Sequence, residues 1–340
     1  MIRGQAKRFK RKLTPTGWII LLAVLVVFFS VISIGVGSVF ISPVRVLSAL
    51  FRTGGESDWF IIFNFRLPRI AIALLVGSGL AVSGTILQGI IRNPLASPDV
   101  LGITKGAGLA AVIVIILFPK SPFIALPISA FIGAAIVAVV LYLFAYKRGV
   151  QPATLALIGI ALGAVCNAAI QYLMIRFPVD ANAALTWLTG SLWGRGWDEV
   201  IGILPWIIVL LPITVILAIK LDILNLGDDV AEGLGENIGY TRLLMLALSV
   251  ALAGASVATV GSIGFVGLVA PHIGRQLVGA KHKHLLPVSA LIGILLVLFA
   301  DGLGRGLLPP IEIPAGVFTA VIGAPYFLYL LRRESKVKEI

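Results

Sequence analysis

Cysteine occurs once in these 340 residues, histidine three times, and Asp plus Glu only 15 times. The lone Cys166 excludes a disulfide framework within the chain, and its apolar surroundings make it read as a small buried hydrophobe. No paired cysteines and no H-E-x-x-H occur, so the sequence carries no metal-ligand pattern. Of the three histidines, His282 and His284 are flanked by Lys281 and Lys283, and 280–284 reads as a solvated basic loop rather than a metal site. The dipeptide Gly-Lys is absent, which excludes a P-loop for nucleotide phosphates. Ionisable residues inside the apolar runs are scarce, Asp301 at the end of one being the nearest candidate. That scarcity disfavours a proton- or sodium-coupled carrier, which keeps such groups at membrane depth. Nor is there a clustered set of catalytic side chains or any resident cofactor motif.

Apolar side chain is what the chain has in excess: 59% of residues are hydrophobic and 12% charged, with mean hydropathy +1.06. A soluble core cannot absorb that much, whereas lipid can act as its outer solvent. At about 20 residues per helical crossing, the length leaves room for roughly ten crossings with short loops. We therefore expect an all-α integral membrane protein forming one polytopic domain over 1–340. The net charge of +12 suggests nucleic acid at first sight, but in a membrane protein the placement of Lys and Arg carries the information. No nucleic-acid partner is expected.

Residues 1–17 form a basic tail that leads into an apolar run from Trp18. The run is too long for the core of a cleaved signal peptide, about 7–15 residues, and lacks an Ala-x-Ala site, so it reads as a retained first span. Nine apolar runs are plain, near 18–38, 68–90, 103–118, 123–145, 152–174, 201–219, 243–260, 285–300 and 314–331. Both tails are basic and should be cytoplasmic, which an odd number of spans forbids. A tenth span fits 261–279, GSIGFVGLVAPHIGRQLVG, whose glycines and Pro271 depress its hydropathy. With ten spans, 19 of the 27 Lys and Arg fall on the inner side.

The tenth span exposes a repeat. GSGLAVSG at Gly77 and GASVATVG at Gly254 share the form G-x-x-x-A-x-x-G, and at the same offset Pro94 answers Pro271 and Gly102 answers Gly279. The first copy runs inward and the second outward, which predicts an inverted-topology repeat of spans 2–5 and 7–10, a construction common in transporters. Small residues at i, i+4 and i+7 permit close helix approach, and broken backbone at membrane depth survives only where protein or a water-filled cavity satisfies it.

RLPR (66–69), RNPLASPDVLG (92–102), LALIGIALG (155–163), WLTGSLW (187–193), LNLGDDVAEGLG (224–235), GSIGFVGLVAPHIGR (261–275) and IEIPAGVFTAVIGAPYFLYLL (311–331) together resemble permease subunits of binding-protein-dependent ABC importers for iron–siderophores and cobalamin, the FecCD family. The resemblance covers nearly the whole chain, with the motifs in family order. It implies a permease in the bacterial cytoplasmic membrane, with both termini cytoplasmic and the substrate path along an interface with a second, identical or related, permease. Two ABC ATPase subunits would dock inside and an extracytoplasmic binding protein outside, so that the chain is not itself an enzyme.

Three groups of residues take roles from that resemblance. The turn at Asn93, Pro94 and Leu95 and the facing tip at Pro152 and Ala153 would border a cytoplasmic gate; prolines end helices and fix irregular backbone there, although an ordinary tight loop is the plain alternative. Arg66, Arg69 and Arg305, on the outer side against the positive-inside trend, would receive glutamates of the binding protein, the alternative being arginines snorkelling to headgroups. The loop 221–242 would carry the helix that couples to the ATPase: Leu226, Gly227, Asp228, Asp229, Ala231, Glu232, Leu234 and Gly235. Carboxylates at its start suit the positive end of the helix dipole, and Gly235 suits its end. A merely solvated loop is the alternative.

The form SPDVLGIT is closer to iron–siderophore permeases than to cobalamin ones, so a ferric siderophore is the expected cargo, with cobalamin or haem as the alternative. Hydroxamate, catecholate and citrate chelates are not separable here. The rival classes, an ion-coupled carrier and a membrane-embedded enzyme, need mid-span titratable or clustered catalytic residues.

Overall fold

A computed structural model describes residues 13–37, 40–146, 152–309 and 311–338. The basic stretch 1–12 and the turn 147–151 lie outside the described residues. The described chain is helical, with no strand: α1 (Pro15–Gly35), α2 (Pro43–Leu50), α3 (Glu56–Ile61), α4 (Leu67–Ile91), α5 (Ile103–Leu117), α6 (Ala125–Tyr146), α7 (Pro152–Arg176), α8 (Pro178–Leu188), α9 (Trp197–Ile216), α10 (Ala218–Asn225), α11 (Asp228–Gly233), α12 (Ile238–Val260), α13 (Val266–Val278), α14 (His282–Gly306) and α15 (Ala315–Lys338). A π-helical turn, Ile62–Arg66, joins α3 to α4.

Local chemistry sets the starts of these helices. Thr14 Oγ1 accepts from the Gly17 N–H ahead of Pro15, and Ser42 caps α2 ahead of Pro43 in the same way, the hydroxyl cap and first-turn proline favoured there. At α9 the Glu199 carboxylate accepts from the Gly196 N–H at 2.8 Å.

Each of the ten expected segments contains a helix. Seven described helical stretches are long and apolar enough to cross a membrane: α1, the continuous 56–91 stretch, α6, α7, α9, α12 and α14. The apolar stretches 103–117 and 315–328 are shorter, and the segment expected at 261–279 yields only the 13 residues of α13. Its first five residues are non-helical because Gly261 (φ +79°) and Phe265 (φ +65°) turn the chain the wrong way for a helix. Backbone bonds close both ends of the break: Gly261 N–H donates to Val257 O (2.8 Å), Val269 N–H donates to Phe265 O (2.8 Å), and Ser191 N–H donates to Val260 O (2.8 Å).

α4 and α12 are the central pair, 83% and 72% of their apolar windows being buried against 22% for α1, α7 and α9. They cross antiparallel. Ser83 Oγ donates to Ser249 O at 2.8 Å and Ser249 Oγ returns a bond to Ser83 O at 3.1 Å, while Gly79 meets Ser256 and Leu252. α4 packs on α14 and α12 packs on α6, so the first helix of each half rests on the third helix of the other. The repeat glycines make these two contacts. A Cβ on Gly77 would lie 2.7 Å from Gly293 O, and one on Gly254 would lie 3.2 Å from the Phe131 ring.

Beyond those helices the repeat loses register. Pro94 lies in the loop before α5, whereas Pro271 lies inside α13. Gly102 precedes α5 while Gly279 follows α13. The reason is that α12 ends at Val260, eight positions before the counterpart of Ile91.

The stretch 92–102 is more than an end turn. Arg92 (φ +52°) stops α4, and the chain then climbs back along it. Pro98 reaches Gly267, which itself sits against Leu80 O and Gly84, halfway up α4. Ala96, Ser97 and Leu101 are buried. α5 therefore starts deep and needs only 15 residues.

Candidate functional site

The end of the bundle where α1 starts and α15 finishes carries a charged platform. α11 is the short helix expected at DDVAEGLG. Gly235 (φ +81°) ends it, letting Glu236 N–H donate to Ala231 O at 3.0 Å. Three carboxylates fasten α10 and α11 to the bundle. Asp228 Oδ1 accepts from Arg92 on one side (2.8 Å) and Arg242 on the other (2.7 Å). Asp222 Oδ1 takes both the backbone N–H of His282 (2.9 Å) and its Nδ1 (2.7 Å). Glu236 accepts from Lys220 and from the Thr241 hydroxyl, and the Lys220 bond, with Thr241 second, holds its carboxyl below the usual carboxylate range. The platform thus rests on α4, α12 and α14.

The basic loop at 280–284 is accordingly not wholly solvated: His282 is buried against Asp222 as the first residue of α14, because its ring and backbone satisfy one carboxylate together. Nor does Ala231 face outward, for it is fully buried beneath α11. The exposed apolar side chains are Leu226, Val230 and Leu234, four positions apart in sequence across the start, middle and end of α11. Val230 belongs with the two leucines, and that spacing was readable in the sequence. Asp229, Glu232 and Gly235 are also exposed; Gly227 is half-buried beside Arg92.

The Asn93–Leu95 turn lies at this same end, its Asn93 Oδ1 accepting from Leu95 N–H at 2.9 Å. Pro152 and Ala153 open α7. The 92–102 stretch meets α7 further along, where Gly159 lies against Leu101 and Gly163 against Gly102. Asp99 is carried to depth by this climb; the Thr104 hydroxyl donates to it, and it lies beside Gly264.

The opposite, mouth end gathers the three arginines around α1, α4 and α14. Arg69 Nη2 donates to Asp301 Oδ1 and Nη1 to Glu312 Oε2, both at 2.7 Å. Arg305 holds Asp301 Oδ2 at 3.1 Å and donates to Val36 O and Ser33 O. Arg66 donates to Ile34 O. All three arginines are buried, and Asp301 is 3% exposed, so this carboxylate bridges two guanidiniums inside the bundle rather than capping a span at the surface. Arg66, Arg69, Arg195, Arg305 and Glu312 nonetheless line one cleft that opens at this end. Glu312 and Arg195 had no marker in the sequence.

α7 carries a further feature. Asn167 and Gln171, one turn apart, are exposed on a helix apolar enough to span a membrane, and neither amide bonds to a described residue. Two amides at i and i+4 in an apolar run were legible in the sequence.

The model of the FecCD transport family matches residues 24–333. The chain is 58% identical to the Fe(3+)-citrate import system permease protein YfmE of Bacillus subtilis over 330 residues, 97% of this chain and 99% of that one. It is 43% identical to the iron(3+)-hydroxamate import system permease protein FhuG of the same species, covering 92% and 95%. With the Fe(3+) dicitrate transport system permease protein FecD of Escherichia coli it shares 46% identity, over 86% and 91%. Among solved structures, an inward-facing metal-chelate type ABC transporter superposes with a TM-score of 0.84 at 33% identity, covering 93% of this chain and 98% of that one.

Proposed function

The chain belongs to the FecCD transport family, and from that premise we propose that it is the permease subunit of an ABC importer that passes a ferric siderophore, ferric citrate foremost, across the bacterial cytoplasmic membrane. The observation that carries the reading is the α7 face with Asn167 and Gln171. An unpaired amide in hydrocarbon costs several kcal/mol, so this face belongs against a second permease or a wet path between the two. Iron arrives already chelated, so the path needs no protein ligands of its own, and no cluster of three or more His, Cys, Asp or Glu suited to a metal occurs among the described residues.

Ten crossings with both termini cytoplasmic place the α11 platform inside. There the Leu226, Val230 and Leu234 ridge seats in a groove of an ATPase subunit, one for each of two permeases, and the carboxylate ties transmit its movement to α4, α12 and α14. ATP hydrolysis takes place on those partner chains. Asn93, Pro94, Leu95, Pro152 and Ala153 border the cytoplasmic gate. At the mouth end the cleft lined by Arg66, Arg69 and Arg305 receives carboxylates of the extracytoplasmic binding protein, which compete there with Asp301 and Glu312. Such contacts set orientation and encounter rate more than affinity.

The test replaces Leu226–Gly235 by a Gly/Ser segment of equal length. ATPase copurification and ATP-dependent uptake of ferric citrate are then measured in proteoliposomes supplied with the binding protein. Loss of both, with insertion intact, is expected. Uptake that persists without any ATPase would overturn the importer reading, and uptake of haemin or cobalamin in preference to ferric chelates would reassign the cargo.

A further inference from the structure

Away from the platform and beside the mouth cleft, with which it shares Arg195, an apolar cavity opens between α6, α9 and the end of α12. Its walls are Phe123, Ile124, Ile128, Phe131, Ile132 and Trp206, and most of these side chains are exposed at its rim. Phe131 and Trp206 close the floor, with ring centroids 4.7 Å apart. The opening lies at the mouth end, where α9 starts.

Two polar groups at that opening have unused capacity. Arg195 pairs with Glu199 through Nη1 at 3.5 Å, yet its Nε is buried with no acceptor. Buried donors are rarely left so, and one that is calls for a missing partner. Asp198, also lining the cavity, is exposed and has no hydrogen bond or ion pair with any described residue. The site therefore offers one anion-seeking donor and one cation-seeking carboxylate above an apolar slot. A third feature keeps the slot open: Gly202 lines it, and a Cβ there would meet nothing within 4 Å, in contrast to the crowded glycines of α4.

We propose that this cavity is a binding site for a zwitterionic membrane phospholipid with a primary ammonium, phosphatidylethanolamine in type. One acyl chain fills the slot, the phosphate pairs with the partly exposed Arg195 guanidinium, and the ammonium pairs with Asp198. The charge pattern selects this occupant. An anionic headgroup would leave Asp198 unpaired and face Asp198 and Glu199 at close range, and a quaternary ammonium has no N–H to give the carboxylate. The inference goes beyond the transport reading and needs only that the helices sit in a bilayer.

The experiment is native mass spectrometry of the full-length protein in its assembled complex, released from nanodiscs containing equal parts of phosphatidylethanolamine, phosphatidylcholine and phosphatidylglycerol. Wild type is expected to retain phosphatidylethanolamine over each of the others by about tenfold, a difference of about 1.4 kcal/mol. Asp198→Asn should abolish the preference over phosphatidylcholine. Gly202→Leu, which adds bulk at a slot-lining position where a Cβ meets nothing within 4 Å, should lose retention while keeping the lipid-free melting temperature. Equal retention of all three lipids, retention unchanged in Gly202→Leu, or a change of oligomeric state in Gly202→Leu without loss of lipid would each overturn the proposal, the last by showing that a second chain fills the slot.

Discussion

Gly79 on α4 and Ser256 on α12, 177 positions apart, touch each other: a Cβ at Gly79 would lie 2.6 Å from Ser256 Oγ. The offset is the same as that between the two G-x-x-x-A-x-x-G motifs. When two equivalent helices cross about a two-fold axis, equivalent positions meet on the axis, so the contact marks the centre of the inverted repeat. Lipid gives no hydrophobic drive between helices, and close approach of small residues must hold the crossing.

Gly79→Ala is therefore expected to lower stability by about 1–3 kcal/mol, the usual cost of overpacking, and Ser256→Ala should recover part of that loss. Gly202→Ala, with open space around its Cβ, should be neutral or stabilising by up to about 1 kcal/mol. Melting temperatures of wild type, the two single glycine variants and the Gly79→Ala/Ser256→Ala double variant check this, and a Gly79→Ala protein as stable as wild type would remove the axis contact.

Asp228 is predicted to matter to coupling as much as to folding. Arg242 is 1% exposed and shares Asp228 with Arg92, so Asp228→Asn leaves a buried guanidinium short of its carboxylate. Breaking a fully buried pair costs about 3–5 kcal/mol; Asp228 is partly solvated, which lowers the figure. Uptake should drop by about tenfold or more while the protein still inserts, and Asp228→Glu should restore part of it. Equal uptake by Asp228→Asn and wild type would remove the platform from the coupling route.

Glu236 makes a pH prediction. Its carboxyl is held below the ordinary range by Lys220 and then Thr241. A lowered folded-state pKa contributes stability that is present above the unfolded value, about 4.3, and is lost as pH falls through the folded value. The melting-temperature gap between wild type and Glu236→Gln should thus be constant near neutrality and close as the pH drops below about 4. A gap that ignores pH would show that the Lys220 tie contributes nothing through charge.

At the mouth end, Asp301→Asn should cost about 3–5 kcal/mol, because it leaves Arg69 and Arg305 buried with one carboxylate fewer. Glu312→Gln, at a more exposed position, should cost about 1 kcal/mol or less. Denaturation of the purified variants in detergent separates the two.

Asn167→Leu and Gln171→Leu test the α7 face. If it lines the path, uptake falls while insertion and yield are unchanged. If it faced lipid, both substitutions would stabilise the protein and spare uptake.

Much of this was readable in the linear chain. The apolar runs located the long helices, most of their ends to within about five residues, since a helix in lipid must satisfy its own backbone and leaves a long apolar signature; the short α2, α3, α8 and α10 left none. α11 and its Gly235 stop followed from capping chemistry. The platform and the mouth cluster were not readable, because Asp222 and His282 stand 60 residues apart and Arg69 and Asp301 stand 232 apart. No local pattern relates them. The climb of 92–102 was likewise hidden, since its prolines announce irregular backbone without saying in which direction it runs.

Composition, periodicity and capping by themselves determined the membrane class, the long apolar helices, the matching motifs on α4 and α12 and the short helix at 228–233, because each is written in the local residue pattern. Tertiary structure alone decided which charges are buried, which carboxylate serves two arginines and which amides are left unpaired on α7. Those outcomes depend on which helix faces meet, and only the three-dimensional crossing of α4, α12 and α14 brings the faces together.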